Sequence, residues 1–429
     1  MRLAVSGLTA LRALRAYRSE RRRLPQARLD LPKPDPSPQR RWTARLIPLD
    51  RLALDAPPSA ERPIDVVVPD SALRVRGQFF SCSVRSGARW RGAFVPLGGG
   101  LFIPSPETLF LELAEVMSPE THALLGYELC GTYSRDARDP RCGAVTHGIP
   151  PVTSVADIER LLDEVGRGTQ VILARRSLRR VADNAWSAME AIVALMACLP
   201  VHELGYELGR VRLNVRHDAP AELVALGGKT SRVPDIEVLG THVGFNYDSH
   251  QHLDLESIAR AADNGDPSEA IALVREKHLD DLKRNRELAA MGRIVLPVTP
   301  SDLFAPGGLD AVMLEAALSI NAFDGGRVLS NVWVALGSAS VRRRRQELVW
   351  SLLPWDAGVA VRAKARPLAS VAALPRGLAR PLRRLTRRCR AASAPPWRPS
   401  SLPRRLTHII CFQVIYPQDR TKEKSDFVR

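Results

Sequence analysis

A chain of 429 residues has room for two or three domains, and its 45% apolar content provides for a packed core. Its formal charge of +16 is uneven, because 21 basic and 5 acidic residues follow Val341 and 41 of each precede it. No apolar run reaches the roughly 18 residues of a membrane-spanning helix, and the six cysteines show neither CxxC spacing nor finger histidines, which excludes a zinc finger and a disulfide framework. A reducing, cytoplasmic setting with no membrane partner is therefore expected.

Residues 8–19 repeat Leu and Ala at helical spacing with Arg on the other face, which predicts an amphipathic helix. A Pro-rich stretch over 24–38 breaks that pattern, so 1–62 reads as a helix followed by a linker. Residues 64–68, 79–84 and 93–103 are β-branched and aromatic between Gly and Ser, which predicts short strands. Ser105-Pro106-Glu107 and Ser118-Pro119-Glu120 each offer a Ser N-cap, a Pro at the first helical position and an acid in the first turn. They mark two helix starts and carry no chemistry. A helix over 155–165 completes a smaller α+β region over 63–166.

A long helix is predicted over 170–199. Asp235 then follows Pro234 on a strand-like stretch at 233–239, Gly240 turns the chain, and 243–247 returns as a second strand. Residues 270–291 have helical apolar spacing and end at Gly292, as a C-cap does, before a last strand at 294–298. Helix, strand, strand, helix, strand is an α/β or α+β pattern over 167–305, a mixed sheet flanked by helices. After Ala335 the element signals fade. Residues 306–341 read as an extension and 342–429 as a basic tail without a packed core. Such a tail binds nucleic acid or anionic membranes without specificity, or has no selected role.

The candidate chemistry lies in the strand pair. Asp235 is a turn-capping residue or, at a sheet edge, a metal ligand. Asn246 and Asp248 are two apart and share a strand face, and a hairpin about Gly240 would bring Asp235 to them. Five of the nine histidines fall between His217 and His278, and His250 and His252 directly follow the strand. Beside carboxylates, histidines can position water or move protons. Asp281, Arg284 and Arg286 make either an i,i+3 pair on a solvated face or contacts to phosphate.

Glu190, Pro234-Asp235, Phe245-Asn246-Tyr247-Asp248, His252, Asp281-Leu282-Lys283-Arg284 and the Gly292-Arg293-Ile294-Val295-Leu296 strand follow one another in an order that resembles the PD-(D/E)xK restriction-endonuclease-like superfamily. The resemblance is to its very-short-patch-repair-like branch and to the C-terminal domains of abortive-infection antitoxin-like bacterial proteins, and it covers about a quarter of the chain. Leu129-Cys130-Gly131-Thr132-Tyr133 is similar to a motif of related bacterial proteins.

What the resemblance implies is a metal-dependent DNA endonuclease, a hydrolase using Mg²⁺, with a possible toxin as second partner. Asp235 would be a metal ligand, Glu190 and Asp248 supporting acids, and His252 a water-orienting or proton-accepting group. Asn246 stands where the second acid is expected. Arg284 and Arg286 would face the DNA backbone. An amide keeps an oxygen but loses the charge that holds Mg²⁺. The alternative is a catalytically degenerate DNA-binding or antitoxin-like regulator.

Overall fold

The computed structural model describes residues 2–35, 47–54, 57–87, 90–248 and 268–354. Within them the chain is a mixed α/β protein of the α+β kind, with two larger mixed sheets. β1 (Leu3–Val5), an apolar triplet buried throughout, is the middle strand of the first sheet, and α1 (Gly7–Ser19) follows it at once. Ala10, Leu11, Ala13, Leu14 and Tyr17 recur at helical spacing on the buried face of α1. β2 (Ile64–Val68), β3 (Phe80–Val84), β4 (Phe94–Gly98) and β5 (Leu101–Pro104) complete the order β3-β2-β1-β5-β4. The stretch expected as one strand over 93–103 is a hairpin, because Gly98, Gly99 and Gly100 all take positive φ and reverse the chain.

α2 (Pro106–Leu113) and α3 (Pro119–Leu129) start at the two serines, whose hydroxyls accept the Thr108 and Thr121 N–H groups. A short hairpin of β6 (Tyr133–Ser134) and β7 (Thr146–His147) precedes α4 (Val155–Val165), α5 (Thr169–Leu178) and α6 (Ala188–Cys198). One helix over 170–199 does not form. Asn184 sits in the left-handed region at φ 69°, and the Ala185 carbonyl accepts the N–H of Thr132.

The second sheet is built from β8 (Val211–Leu213), β11 (Ile236–Val238), β12 (Val243–Tyr247) and β13 (Ile294–Val298). Between the first two come the small hairpin of β9 (His217–Asp218) and β10 (Ser231–Arg232) and the short helix α7 (Ala221–Ala225). Its order is β13-β12-β11-β8, with β11 antiparallel to both neighbours and β12 parallel to β13. Parallel strands need a crossover, and α8 (Ser268–Ala290) supplies it. Gly240 at φ 78° makes the β11–β12 turn, and Gly292 at φ 77° ends α8. Ile236, Val238, Val243 and Phe245 bury one sheet face in the core that α6 shares, a helix with nine of its eleven residues buried.

α9 (Pro300–Phe304), α10 (Gly308–Phe323), α11 (Val328–Leu336) and α12 (Ala339–Leu352) close the described chain. The tail expected from residue 342 therefore begins inside a helix. Arg345 of α12 is 1% exposed, bonded to Asp310 and to the Leu204 and Ala335 carbonyls, and stacked 4.6 Å from the Tyr206 ring centroid. Trp350 of the same helix donates to the Phe304 carbonyl.

Two main cores result. Leu125 and Leu129 of α3 belong to the first, and Ala123, Leu124 and Tyr127 to the second. α5 packs into the first core although it follows residue 166. Among the described residues, no helix is long and apolar enough to cross a membrane.

Candidate functional site

Glu190 lies in the first turn of α6, three residues after its cap Ser187, and is 7% exposed. One of its oxygens, Oε2, accepts the Trp186 N–H at 3.0 Å and the Asn214 Nδ2 at 3.1 Å. A glutamate at this position also serves the free N–H groups of the helix start, so part of its role is structural. Asn214, just past β8 with φ 53°, continues inward: its own N–H donates to the Asp235 carbonyl at 3.0 Å. Glu190 and Asp235 are thus joined through one buried amide.

Asp235 stands immediately before β11, half-buried, and is locked to β12 from both sides. Its N–H donates to Asn246 Oδ1 at 3.0 Å, and its Oδ2 accepts the Tyr247 N–H at 2.7 Å. Asn246 is 3% exposed, and its Nδ2 has no partner among the described residues. Asp248 follows the last residue of β12, and its N–H continues the ladder to the Val298 carbonyl at 2.8 Å.

These acids feel one another. Burial, and then the Glu190 carboxylate, push the Asp235 carboxyl up to about 7, with Asp248 acting in the same sense. The Tyr247 N–H and the Arg284 guanidinium oppose that rise. Glu190 is also raised, first by burial, with the bonds from Asn214 and Trp186 opposing. Arg284 on α8 pairs with Asp281 at 3.2 Å, the i,i+3 contact. Arg286, two positions on, is exposed.

Glu190, Asp235, Asn246, Asp248 and Arg284 therefore gather at one end of β12, and Arg286 is not tied to them. His250 and His252 lie outside the described residues. Three further residues join the site, His147 and Tyr133 from distant sequence and Trp186 from just before α6. His147 of β7 donates from Nδ1 to the Trp186 carbonyl at 3.0 Å, and its charge acts on Glu190. Trp186 is 44% exposed, with its indole N–H on Asn184 Oδ1. Tyr133, of the Cys130-Gly131-Thr132-Tyr133 motif, is buried within reach of the Glu190 field. No local pattern marks Asn214, His147 or Trp186.

Among the described residues, no group of three or more His, Cys, Asp or Glu side chains is arranged to hold a metal ion. Asp235 Oδ2, Asn246 Oδ1 and Glu190 Oε2 each already accept N–H bonds. The described donors do not, by themselves, fit Mg²⁺, which asks for near-octahedral oxygen ligands.

No family model, curated protein or solved structure matches this chain.

Proposed function

We infer that this chain binds nucleic acid through a restriction-endonuclease-like domain spanning α6 to β13, and that the domain serves for binding rather than cutting. The observation that carries the reading is the reciprocal clamp between Asp235 and Asn246-Tyr247. Where the resemblance calls for a second acid, an amide accepts a backbone N–H and adds no charge. Burial and the Glu190 carboxylate raise the neighbouring Asp235 carboxyl to about 7. A resident divalent cation would favour the ionised form of these carboxylates.

Support for nucleic acid as the partner comes from the helix, strand, strand, helix, strand succession of α6, β11, β12, α8 and β13, which the resemblance expects, and from Arg284 beside the acids. A regulator of the antitoxin type, with a toxin as second partner, is one form of this reading. The test is duplex binding by the full chain in EDTA, followed by fluorescence anisotropy. Arg284→Gln is expected to weaken binding several-fold and to lower the salt slope by about 1. An unchanged affinity and slope would contradict the assignment of Arg284.

A hydrolase is the second reading, favoured by the mutual influence of Glu190, Asp235 and Asp248. It would require Mg²⁺ on Asp235, Asp248 and Asn246.

A further inference from the structure

A cavity of about 380 Å³ opens at the C-terminal end of α1, far from the acidic cluster in sequence. Arg18, Arg22, Arg23 and Arg28 line it against the 149–152 turn, and no acidic side chain among the described residues does. Four guanidinium groups around one space repel each other unless something negative lies between them.

Nearby carboxylates do not fill that role. Arg18 is 2% exposed, yet its partners are three carbonyls, those of Glu128 at 2.9 Å, Gly131 at 3.1 Å and Pro150 at 3.2 Å. Its Nε is buried without a partner among the described residues. The nearest acid, Glu128, is already held at both oxygens by Arg15. Arg22 stacks 4.4 Å from the Tyr17 ring centroid and pairs with exposed Glu20 at 3.4 Å. Arg28 reaches Glu107 at 3.5 Å.

A second cavity, of about 710 Å³, adjoins the first through Arg28 and Val152. Its lining mixes Arg91 and Arg160 with Glu107, Asp157, Glu164 and the Ser105 and Thr108 hydroxyls. The charged side chains of the first cavity are all cationic, and the second offers both donors and acceptors. That division suits a ligand with phosphate at one end and hydroxyls or a base at the other. Guanidinium forks match phosphate oxygens in pairs, which a lysine cluster would not do.

We propose that the arginine-lined cavity is a binding site for phosphate groups carried on a nucleoside, either a free nucleotide or the end of a nucleic-acid strand. The site is independent of the acidic cluster and stands whether or not that cluster cuts or binds.

The experiment titrates the full chain with ADP and, separately, with a short single-stranded oligonucleotide, by calorimetry at low salt. Three proteins are compared: the parent, Arg23→Gln/Arg28→Gln, and the charge-matched control Arg179→Gln/Arg210→Gln, which alters exposed arginines of another cavity. All four positions are exposed, so folding is not at stake. A loss of about tenfold or more for ADP in the first variant only supports the site with a free nucleotide as ligand. The same selective loss for the oligonucleotide only supports the site with a strand end as ligand. Equal losses in both variants, or no loss for either probe, would overturn the proposal.

Discussion

Asn246 is the residue on which the proposed reading turns. Its amide accepts the Asp235 N–H without adding to the negative field of Glu190, Asp235 and Asp248. Asn246→Asp keeps the shape and adds a charge, so it is expected to cost about 1–3 kcal/mol at pH 8 and less at pH 5. Urea unfolding at the two pH values measures this, and an equal cost at both would contradict it. Asp235 gives a second prediction. Its folded-state value of about 7 lies above the ordinary 3.8, so the native state holds the proton more tightly than the unfolded chain. Stability from this group is complete below about pH 4 and is lost as the pH rises towards 7. The unfolding midpoint should fall from pH 5 to pH 8, and Asp235→Asn should flatten that fall; an equally steep variant would contradict the assignment. Glu190, Asp235, Asn246 and Asp248 were legible in the sequence because each sits in a local pattern: a capped helix start, a Pro-Asp turn and a strand face. Asn214 was not, because it meets Glu190 from 24 positions away and nothing around it marks that contact.

At the level of elements, the strands and helix between 236 and 298 follow the sequence pattern to within a few residues, since apolar alternation and the turn glycines act locally. Two elements escaped it. The 170–199 region has apolar helix formers at both ends, but a hydrogen bond from Thr132 and the left-handed Asn184 divide it. α12 hides behind its run of four arginines, which looks like a solvated tail. Arg345, Val349 and Leu352 nevertheless fall at i, i+4 and i+7 on its buried face. Arg345 meets Asp310, which also binds Tyr206 and Arg342. Arg345→Met is expected to lower stability by about 3–5 kcal/mol, because it leaves buried polar partners behind. Chemical denaturation of the full chain tests this; a loss under about 1 kcal/mol would mean the pair contributes no more than a surface bridge.

Across the molecule, charge and fold are separately distributed. Residues before Arg342 are balanced in sign, and the excess of +16 lies after them, while the acidic cluster belongs to the second core. The charge division was plain from composition, but the sharing of α3 between two cores was not, because it depends on which face of one helix meets which partner. Under the proposed reading, nucleic-acid affinity and phosphodiester hydrolysis are separable. The most direct measurement incubates the full chain with supercoiled plasmid in Mg²⁺, Mn²⁺ or EDTA, with binding followed in the same samples and Asp235→Ala alongside. Binding in all three conditions with the plasmid left intact is the predicted result. Metal-dependent nicking that disappears in Asp235→Ala would contradict it and establish the hydrolase.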